Sequence, residues 1–576
     1  MDTKKEKLNQ PSLFGLLKPY KFLIALLVIF TVISNAFNLA VPKIIGSAID
    51  TFKNGNFILS NLVIEFSVIA VLIFIFAYLQ NIVQVYASEK VARDIRNDLA
   101  AKISVQEYSY IDKVTPAKLL TNLTSDVDAI KMFVSTAISS IIASAFLIIG
   151  ASILLILIDW KLALAVLAIV PIIGITFFFV LTKVRKLFVE SQKAIDWLNK
   201  VISESILGSA LIRLLNSKDV EYEKFLLAST EAKRISLNIL SLFASLIPII
   251  TFLTNVATLI IVVMGGHFVI EGNMTLGNFT AFNSYLAILI FPILIIGFMT
   301  NVIASARASY GRITEVLYAP DEKKSGLLKT KIHGDVEVNN LTVMFGQKMA
   351  LRDVSFSVRA GSKTAIIGPT AAGKTQLLYL LTGLLAPTEG TINIDGKNIN
   401  EYDKENLHSQ IGFVFQDSIL FNLSLRENIA FSNVAGDAYL DKAIDTAELR
   451  DFINTLPEKL DTIVSERGTS LSGGQKQRIM LARALALNPK ILLLDDFTSR
   501  VDNKTEAKIL SNIAENYPEL TLISVTQKIQ SIEHYDQIIL LMEGELLAKG
   551  THQELMNSSP EYVQIYDSQK SINQYE

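Results

Sequence analysis

A glycine-rich segment in the second half of the chain has residue types suited to binding phosphate. The segment fits the pattern G-x-x-x-x-G-K-[ST], follows an apolar run at 364–367, and opens an apolar helix at Gln376. Backbone N–H groups of such a loop bind phosphate oxygens, the lysine neutralises β/γ-phosphate charge, and the hydroxyl can ligate Mg²⁺. The sequence therefore predicts a nucleotide–magnesium site. Its loop residues are Gly368, Pro369, Thr370, Ala371, Ala372, Gly373, Lys374 and Thr375.

A second stretch predicts a buried strand that ends in two carboxylates. Four apolar residues, 491–494, precede Asp495 and Asp496. This is the Walker B pattern, in which Asp495 would hold Mg²⁺ through water and Asp496 would face the attacking water. An apolar run ending in Asp is weak evidence alone, but a phosphate loop lies about 120 residues earlier. Together the two segments indicate a nucleoside triphosphatase.

A distinctive string lies between these two motifs, and it reads Leu471, Ser472, Gly473, Gly474 and Gln475. Here the sequence resembles the ATP-binding-cassette (ABC) transporter family, whose signature is LSGGQ. The resemblance covers nearly the whole chain. It implies a P-loop ATPase domain that uses ATP and Mg²⁺, and pairing of two such chains, with each ATP held between one chain's Walker motifs and the other's signature.

The resemblance also assigns roles to residues outside these motifs. Phe345 would stack on adenine, and Gln416 would sense the γ-phosphate and Mg²⁺. Asp502 would lie in the D-loop, and 466–468 would contact cytoplasmic loops. The string at 550–555 matches the family's C-terminal GTH-x-x-L.

Two positions depart from the pattern of an active ABC ATPase. The residue after the Walker B aspartate is usually Glu and here is Asp496, and the switch residue is usually His and here is Gln527. Aspartate is one methylene shorter, and a displacement of ~1 Å can cost ~10²-fold in rate. Glutamine can hydrogen-bond a phosphate but cannot supply a positive charge. Either these are tolerated variants, or the site binds ATP and hydrolyses it slowly; the second interpretation is favoured. Arg500, in the D-loop where a small residue is usual, has no firm explanation from sequence.

The elements that position these residues divide the chain in two. The sequence is 51% hydrophobic and only 19% charged, with 53 Lys+Arg against 55 Asp+Glu and no cysteine. This excludes a disordered, a nucleic-acid-coating and a disulfide-stapled protein. In the first half, six stretches carry no charged residue, and each can span a ~30 Å hydrocarbon core. The stretches are 22–42, 66–88, 132–158, 162–182, 235–270 and 272–306.

The distribution of Lys and Arg predicts the orientation of these spans. Basic residues collect before the first span, between the second and third, and between the fourth and fifth, so both termini are expected in the cytoplasm. The resemblance implies a bacterial cell. The long connections 89–131 and 183–234 are predicted to be helical extensions of the spans. Turns near Thr115–Ser125 and Leu207–Leu215 could touch a cytoplasmic partner, and by resemblance they match the family's coupling helices.

The expected fold is an all-α transmembrane domain of six long helices followed by an α/β P-loop ATPase domain. The domains are 1–316 and 335–576, joined by a linker at 317–334. The six helices are expected at about 20–48, 60–106, 130–158, 161–208, 236–270 and 276–316.

The resemblance implies one half of an ABC exporter. The leading hypothesis is ATP-driven export of hydrophobic or amphipathic compounds across the cytoplasmic membrane, because the spans hold almost no fixed charge. The second half-transporter is expected to be a different chain that supplies the catalytic Glu and the switch His, although a homodimer is open. Lipid or peptide export, siderophore import and an ATP-gated channel or regulator remain alternatives. Substrate and membrane lipid, but no nucleic acid, are the other expected partners.

Overall fold

The computed structural model describes residues 13, 15–321, 326–345, 348–431, 436–464, 468 and 471–573. These residues form two compact units. Of the described residues, those within 1–105 and 114–320 form the first unit, and those within 106–113 and 321–576 form the second. A short segment from the first half of the sequence therefore belongs to the second unit.

Long helices make up the first unit. Over the described ranges, six of them are long and apolar enough to cross a membrane. In chain order, the helices of the first half of the sequence are α1 Lys21–Lys53, α2 Leu59–Ser104, α3 Tyr108–Val114, α4 Pro116–Ile158, α5 Trp160–Leu207, α6 Ser209–Leu214, α7 Lys218–Ile270 and α8 Leu276–Leu317. Helix α3, except for its last residue, Val114, lies in the second unit.

Two of the breaks between the long helices, one between α2 and α4 and one between α5 and α7, lie close to turns expected from sequence. The first of them is displaced from its expected position. The first interruption surrounds α3, and Thr115 ends it with a left-handed φ of 71°. Pro116 then starts α4, because proline fits the first turn of a helix but not its interior. The expected turn at Thr115–Ser125 is therefore wrong in its detail: the break precedes Pro116, and the residues after it are helical. The second interruption lies at Gly208 and after α6.

In the first unit, some large apolar side chains are buried between helices and others are exposed. Phe282 and Tyr285 on α8 are almost fully buried, together with Leu155 and Leu162. Many other large apolar side chains on the long helices remain exposed, for example Phe74 at 69%. A membrane helix needs no polar outer face because its surroundings are hydrocarbon. The buried aromatic pair therefore packs helices rather than facing the surroundings of the unit.

Helices α1 and α8 approach each other closely at one end. Asp50 Oδ1 accepts a hydrogen bond of 2.8 Å from the Gly277 backbone N–H at the start of α8. A Cβ on Gly277 would overlap the Gly46 carbonyl oxygen, so the two helices meet where neither has a side chain. Deeper along the pair, the Tyr285 hydroxyl donates to the Leu39 carbonyl at 2.9 Å. Two contacts at different levels thus join these helices.

A buried carboxylate joins α4 to α8 in the same unit. Asp126 lies in a π-helical turn of α4, Asn122–Asp126, and is 2% exposed. Its oxygens accept hydrogen bonds from Ser309 Oγ (2.9 Å), Arg312 Nε (3.0 Å) and Asn122 Nδ2 (3.1 Å), and a further one from the second guanidinium nitrogen that faces it. The chain itself thus satisfies this charge.

The second unit is an α/β domain with two sheets. One sheet is antiparallel with the order β2-β1-β4-β5, and the other has the order β10-β9-β3-β8-β7-β6. The strands are β1 Val336–Phe345, β2 Lys348–Val358, β3 Lys363–Ile367, β4 Glu389–Ile394, β5 Lys397–Asn398, β6 Ile411–Val414, β7 Ile491–Asp495, β8 Thr521–Val525, β9 Gln537–Met542 and β10 Glu545–Gly550. The helices that follow α8 in sequence are α9 Lys374–Leu381, α10 Lys404–His408, α11 Leu425–Ile429, α12 Asp437–Thr446, α13 Arg450–Thr455, α14 Gly473–Leu485, α15 Asn503–Asn516, α16 His552–Ser558 and α17 Pro560–Asn573.

The order of the larger sheet gathers the predicted nucleotide motifs at one edge. Strands β3, β8, β7 and β6 are adjacent and parallel, and all are largely buried apolar runs. Ligands of such sheets bind beyond the carboxyl ends of the strands. The phosphate loop follows β3, and Asp495 ends β7. The switch segment, defined as residues 526–529, follows β8, and Gln416 follows β6. Segments far apart in sequence therefore share one edge.

Candidate functional site

The phosphate loop has a backbone that only glycine can adopt at two positions. Gly368 has a φ of 149° and Gly373 a φ of 93°. A Cβ on Gly368 would overlap the Leu541 carbonyl oxygen, and one on Gly373 would lie 2.5 Å from the Leu351 side chain. Side chains at these positions would push the loop away from the sheet. The loop therefore keeps its backbone N–H groups close to the start of α9.

Lys374 begins α9 and bends back over the loop. Its Nζ donates to the carbonyl oxygens of Gly368 (2.8 Å) and Pro369 (2.7 Å). Burial lowers the pKa of this ammonium group, and the carboxylates of Asp496 and Asp495 act in the opposite direction. A buried cation held by neutral carbonyls, with two carboxylates nearby, is suited to exchanging those carbonyls for phosphate oxygens.

Asp495 is a buried carboxylate whose partners are incomplete. The residue is 1% exposed, and its Oδ2 has no hydrogen-bond partner among the described residues. Burial raises the pKa of this carboxyl group, and the Thr375 side chain counteracts the shift. A carboxylate, a hydroxyl and an amide oxygen, the last from Gln416, are hard oxygen donors of the kind Mg²⁺ prefers. The donor set and the unpaired buried oxygen fit that ion.

The two unusual residues lie at neighbouring strand ends. Asp495 is paired with Val525 across β7 and β8, so Asp496 and Gln527 follow from adjacent strands. The Asp496 N–H donates to the Val525 carbonyl at 3.0 Å, and Asp496 has a left-handed backbone with φ 47°. Burial raises the pKa of the Asp496 carboxyl group, and the charge of Lys374 opposes that shift. The sheet thus brings both departures to the edge that carries the phosphate loop.

The signature string forms the start of α14. The Ser472 hydroxyl accepts from the Gln475 N–H at 3.2 Å, and Gln475 Oε1 accepts from the Ser472 N–H at 2.8 Å, which forms a capping box. The capping box stabilises the N-terminus of the helix, and Gly473 and Gly474 form part of its first turn. A Cβ on Gly473 would lie 3.0 Å from Arg500 Cδ, and one on Gly474 would lie 2.9 Å from the Arg500 carbonyl. Arg500 therefore packs against the signature glycines of its own chain.

The remaining predicted residues occupy several places in the second unit. Phe345 ends β1 and is 49% exposed. Gln376 lies in the first turn of α9, and Asp502 caps α15 by accepting from the Thr505 N–H at 2.9 Å. Residues 466–467 of the expected loop-contacting segment lie outside the described residues, and Leu471 lies just before the α14 cap. The structure therefore collects the Walker and switch residues at one edge, and their roles remain predictions.

An aromatic series runs from α3 to the residue before Gln416 within the second unit. The rings of Tyr108 and Tyr379 are 5.6 Å apart and edge-to-face, and Tyr379 lies on α9. Tyr379 in turn lies 6.1 Å from the ring of Phe415, the residue before Gln416. Sequence reasoning did not find this series, because aromatic residues at these separations have no motif. A segment of the membrane half of the sequence thus contacts the helix that follows the phosphate loop.

Two further residues missed by sequence reasoning hold the switch segment. Lys528 Nζ donates to the Thr498 carbonyl and to Asn503 and Glu506, and Gln569 on α17 bonds to the backbone at 527 and 529. Lys528 directly follows Gln527 in the sequence. Gln569 has no sequence signal, because a polar residue on a terminal helix usually faces solvent.

The fold and this site define a membrane-embedded P-loop ATPase. Comparison with known proteins gives the family: the model for the ABC transporter transmembrane region matches residues 24–293, and the model for the ABC transporter domain matches 351–499. The ABC transporter ATP-binding protein YfiB of Bacillus subtilis is 33% identical over 564 residues, covering 96% of this chain and 97% of that protein. The chain belongs to the ABC transporter family and is an ATP-driven transport ATPase.

Other relatives and a solved structure agree with this assignment. YheI of Bacillus subtilis, described as a probable multidrug resistance ABC transporter ATP-binding/permease protein, is 30% identical over 96% of this chain and 95% of its own length. An ATP-dependent lipid A-core flippase of Syntrophus aciditrophicus is 29% identical over 86% of this chain and 83% of its own length. A bacterial Atm1-family ABC exporter with ATP bound has the same fold, with a TM-score of 0.75, 24% identity and coverage of 96% and 99%. The arrangement of both regions in one chain is that of an exporter-type half-transporter.

Proposed function

We propose that this chain is the degenerate-site half of a heterodimeric bacterial exporter of hydrophobic or amphipathic compounds. Its own Walker site binds MgATP and hydrolyses it slowly, and its signature completes the active site of a second half-transporter. Thr375, Gln416 and Asp495 would hold Mg²⁺ beside the phosphates, and the ion would supply positive charge there. The partner provides the glutamate and histidine that this chain lacks.

The observation that carries the proposal is the pair Asp496 and Gln527. Both substitutions fall on groups that act in hydrolysis, whereas the residues that bind phosphate and metal are the usual ones. The backbone supports the same distinction. Asp496 is held by its N–H bond to Val525 and by the Ser499 hydroxyl on its carbonyl at 2.9 Å, so the backbone has little freedom to extend the shorter side chain. A carboxylate one methylene short stays short of the attacking water.

The signature supports the second part of the proposal. Ser472, Gly473 and Gly474 present a capped helix N-terminus, which favours contact with negative charge. In the family this element serves the nucleotide bound by the other chain. A chain with weak hydrolysis and a complete signature is therefore suited to supporting the partner's active site.

ATP hydrolysis tests the degenerate site. The purified chain alone is expected to bind MgATP but to show low ATPase activity. Asp496→Glu combined with Gln527→His is expected to raise that activity by up to about 10²-fold, because the carboxylate then reaches the attacking water. Asp437→Glu makes the same one-methylene change on an exposed helix, at a side chain that is 94% exposed, and is expected to change nothing.

Reconstitution with a partner tests the heterodimer. The chain is to be co-purified with the half-transporter encoded by the adjacent gene, and ATPase activity is measured after each site is changed in turn. Replacing the glutamate after the partner's Walker B aspartate should abolish hydrolysis, whereas Asp496→Asn should leave most of it. Hydrolysis that survives the change in the partner would contradict the assignment.

The apolar spans and the relatives together support the substrate class. The described relatives include one termed multidrug resistance and one termed a lipid A-core flippase, so both a hydrophobic dye and a fluorescent lipid are suitable probes. With both termini in the cytoplasm, inverted vesicles should accumulate the dye when MgATP is added. Movement of the lipid without accumulation of the dye would favour lipid export, and ATP-dependent ion current would favour a channel.

A further inference from the structure

The segment that follows β8 is held by the last helix described in the structure. Gln569 on α17 donates from Nε2 to the Gln527 carbonyl at 2.6 Å, and its Oε1 accepts from the Ile529 N–H at 3.0 Å. The two bonds run in opposite directions and bracket Lys528. A side-chain amide carries a donor and an acceptor on one planar group, as this pair of bonds requires. One side chain therefore fixes the backbone on both sides of a single residue.

Lys528 is anchored on the opposite side of the same segment. Its Nζ donates to the Thr498 carbonyl (3.2 Å), to Asn503 Oδ1 (3.1 Å) and to Glu506 Oε2 (3.2 Å). Glu506 is 3% exposed, so this ion pair is better shielded than a surface pair. The switch segment is thus tied both to the turn after Walker B and to α17.

Helix α17 is itself well attached to the second unit. Tyr562 is fully buried, and its hydroxyl lies 2.7 Å from His552 Nδ1 on α16. Ile565 and Tyr566 are half-buried against the main core of the unit. Because these contacts precede Gln569 by only one to two helical turns, the helix presents Gln569 at a fixed height beside the switch segment.

We propose that Gln569 is a positioning residue for the ATP site, acting through the backbone of 527–529. The carbonyl that Gln569 holds and the Gln527 side chain belong to the same residue. The position of this side chain relative to the γ-phosphate therefore depends on α17. Displacement of α17 would break both bonds and leave the segment held through Lys528. This inference rests on the ATPase site and not on the identity of the partner or the rate of hydrolysis.

Amide hydrogen exchange of the full-length chain gives a direct readout. Gln569→Ala is expected to increase exchange at Ile529 at least tenfold, because the N–H loses its acceptor. Gln569→Glu keeps that acceptor but places an oxygen against the Gln527 carbonyl, so Ile529 should stay protected while the segment shifts. Gln564→Ala is the matched control, since it makes the same change on an exposed position of α17. Peptides from α17 itself should exchange equally in all variants.

Nucleotide discrimination provides the functional readout. With MgATP and MgADP as the probes, Gln569→Ala is expected to reduce the ratio of ATP to ADP affinity about three- to tenfold, because a displaced switch residue loses contact with the γ-phosphate. A structural defect would weaken both nucleotides equally. The inference is overturned by unchanged exchange at 526–529, by an equal increase in Gln564→Ala, or by increased exchange with an unchanged ATP/ADP ratio. If Asp496 hydrolyses ATP fully, the proposed function fails, but these readouts are unaffected.

Discussion

Asp126 in the first unit and Asp495 in the second are both buried carboxylates, and their surroundings are opposite. Asp126 receives hydrogen bonds from Ser309, Arg312 and Asn122. Asp495 retains an oxygen that has no partner among the described residues. Burying a carboxylate is unfavourable unless it is paired. This contrast predicts that Asp126 stabilises the fold and that Asp495 binds a ligand.

The largest effect should come from removing the satisfied charge. Asp126→Ala is expected to lower the free energy of unfolding of the first unit by about 3 kcal/mol, because three donors lose their acceptor and Arg312 keeps an unpaired charge. The value lies at the low end for a buried pair, since the Arg312 side chain is 45% exposed and can be partly rehydrated. Thermal melting of the detergent-solubilised chain measures the loss. An unchanged melting temperature would contradict the structural role.

Asp495→Asn should weaken nucleotide binding without lowering stability. Affinity for MgATP is expected to fall roughly 10- to 100-fold, in the range seen when support for a bound metal is removed. Without nucleotide, the melting temperature should not fall, because a neutral amide replaces a buried carboxylate with an unpaired oxygen. Nucleotide titration with Mg²⁺ and again with EDTA gives both values. If the parent chain and Asp495→Asn still differ in nucleotide affinity in EDTA, that result would argue against a metal-binding role for Asp495.

Arg312→Lys tests whether charge alone explains the stability of the Asp126 cluster. Lysine keeps the positive charge but lacks the planar fork that donates two bonds to Asp126 and one to Ser309 at 3.0 Å. The free energy of unfolding should fall by about 1–2 kcal/mol, less than for Asp126→Ala. Melting curves of the two variants and their double mutant measure the coupling, and an Arg312→Lys protein as stable as the parent would show that geometry is unimportant.

The smallest effect is expected at a neighbouring exposed carboxylate. Asp128 pairs with Arg96 at 2.7 Å, with both side chains substantially exposed. Asp128→Asn should lower the free energy of unfolding by about 0.2–1 kcal/mol, since exposed pairs are hydrated and screened. The same melting assay checks this, ideally with added salt. A loss as large as that of Asp126→Ala would mean that burial does not distinguish the two residues.

Sequence reasoning predicted the parts that depend on local pattern. Charge-free runs such as 66–88 indicated membrane helices, and the phosphate loop followed by Lys374 and Thr375 indicated the nucleotide site. The fold class and the ATPase assignment are confirmed by the family models and relatives. Each of these signals lies within one short window of sequence, where composition and spacing are sufficient.

The missed features depend on contacts between distant segments. Asp126 and Arg312 are 186 residues apart, and nothing in the sequence around either residue indicates its partner. Gln569 lies 42 residues from Gln527, and nothing in its neighbours indicates a role at the site. Arg500 was unusual in sequence, but its packing on Gly473 requires the turn after β7. Such pairings are set by the tertiary fold, which single-sequence patterns do not encode.

The contacts between α1 and α8 have a mechanical consequence. Asp50 fastens the first turn of α8, the glycine contact leaves no space for sliding, and Tyr285 adds a second attachment at Leu39. Two attachment points at different heights resist rotation as well as separation. These two helices should therefore move together as one rigid body. Any lateral opening of the first unit must then form at an interface other than the one between α1 and α8.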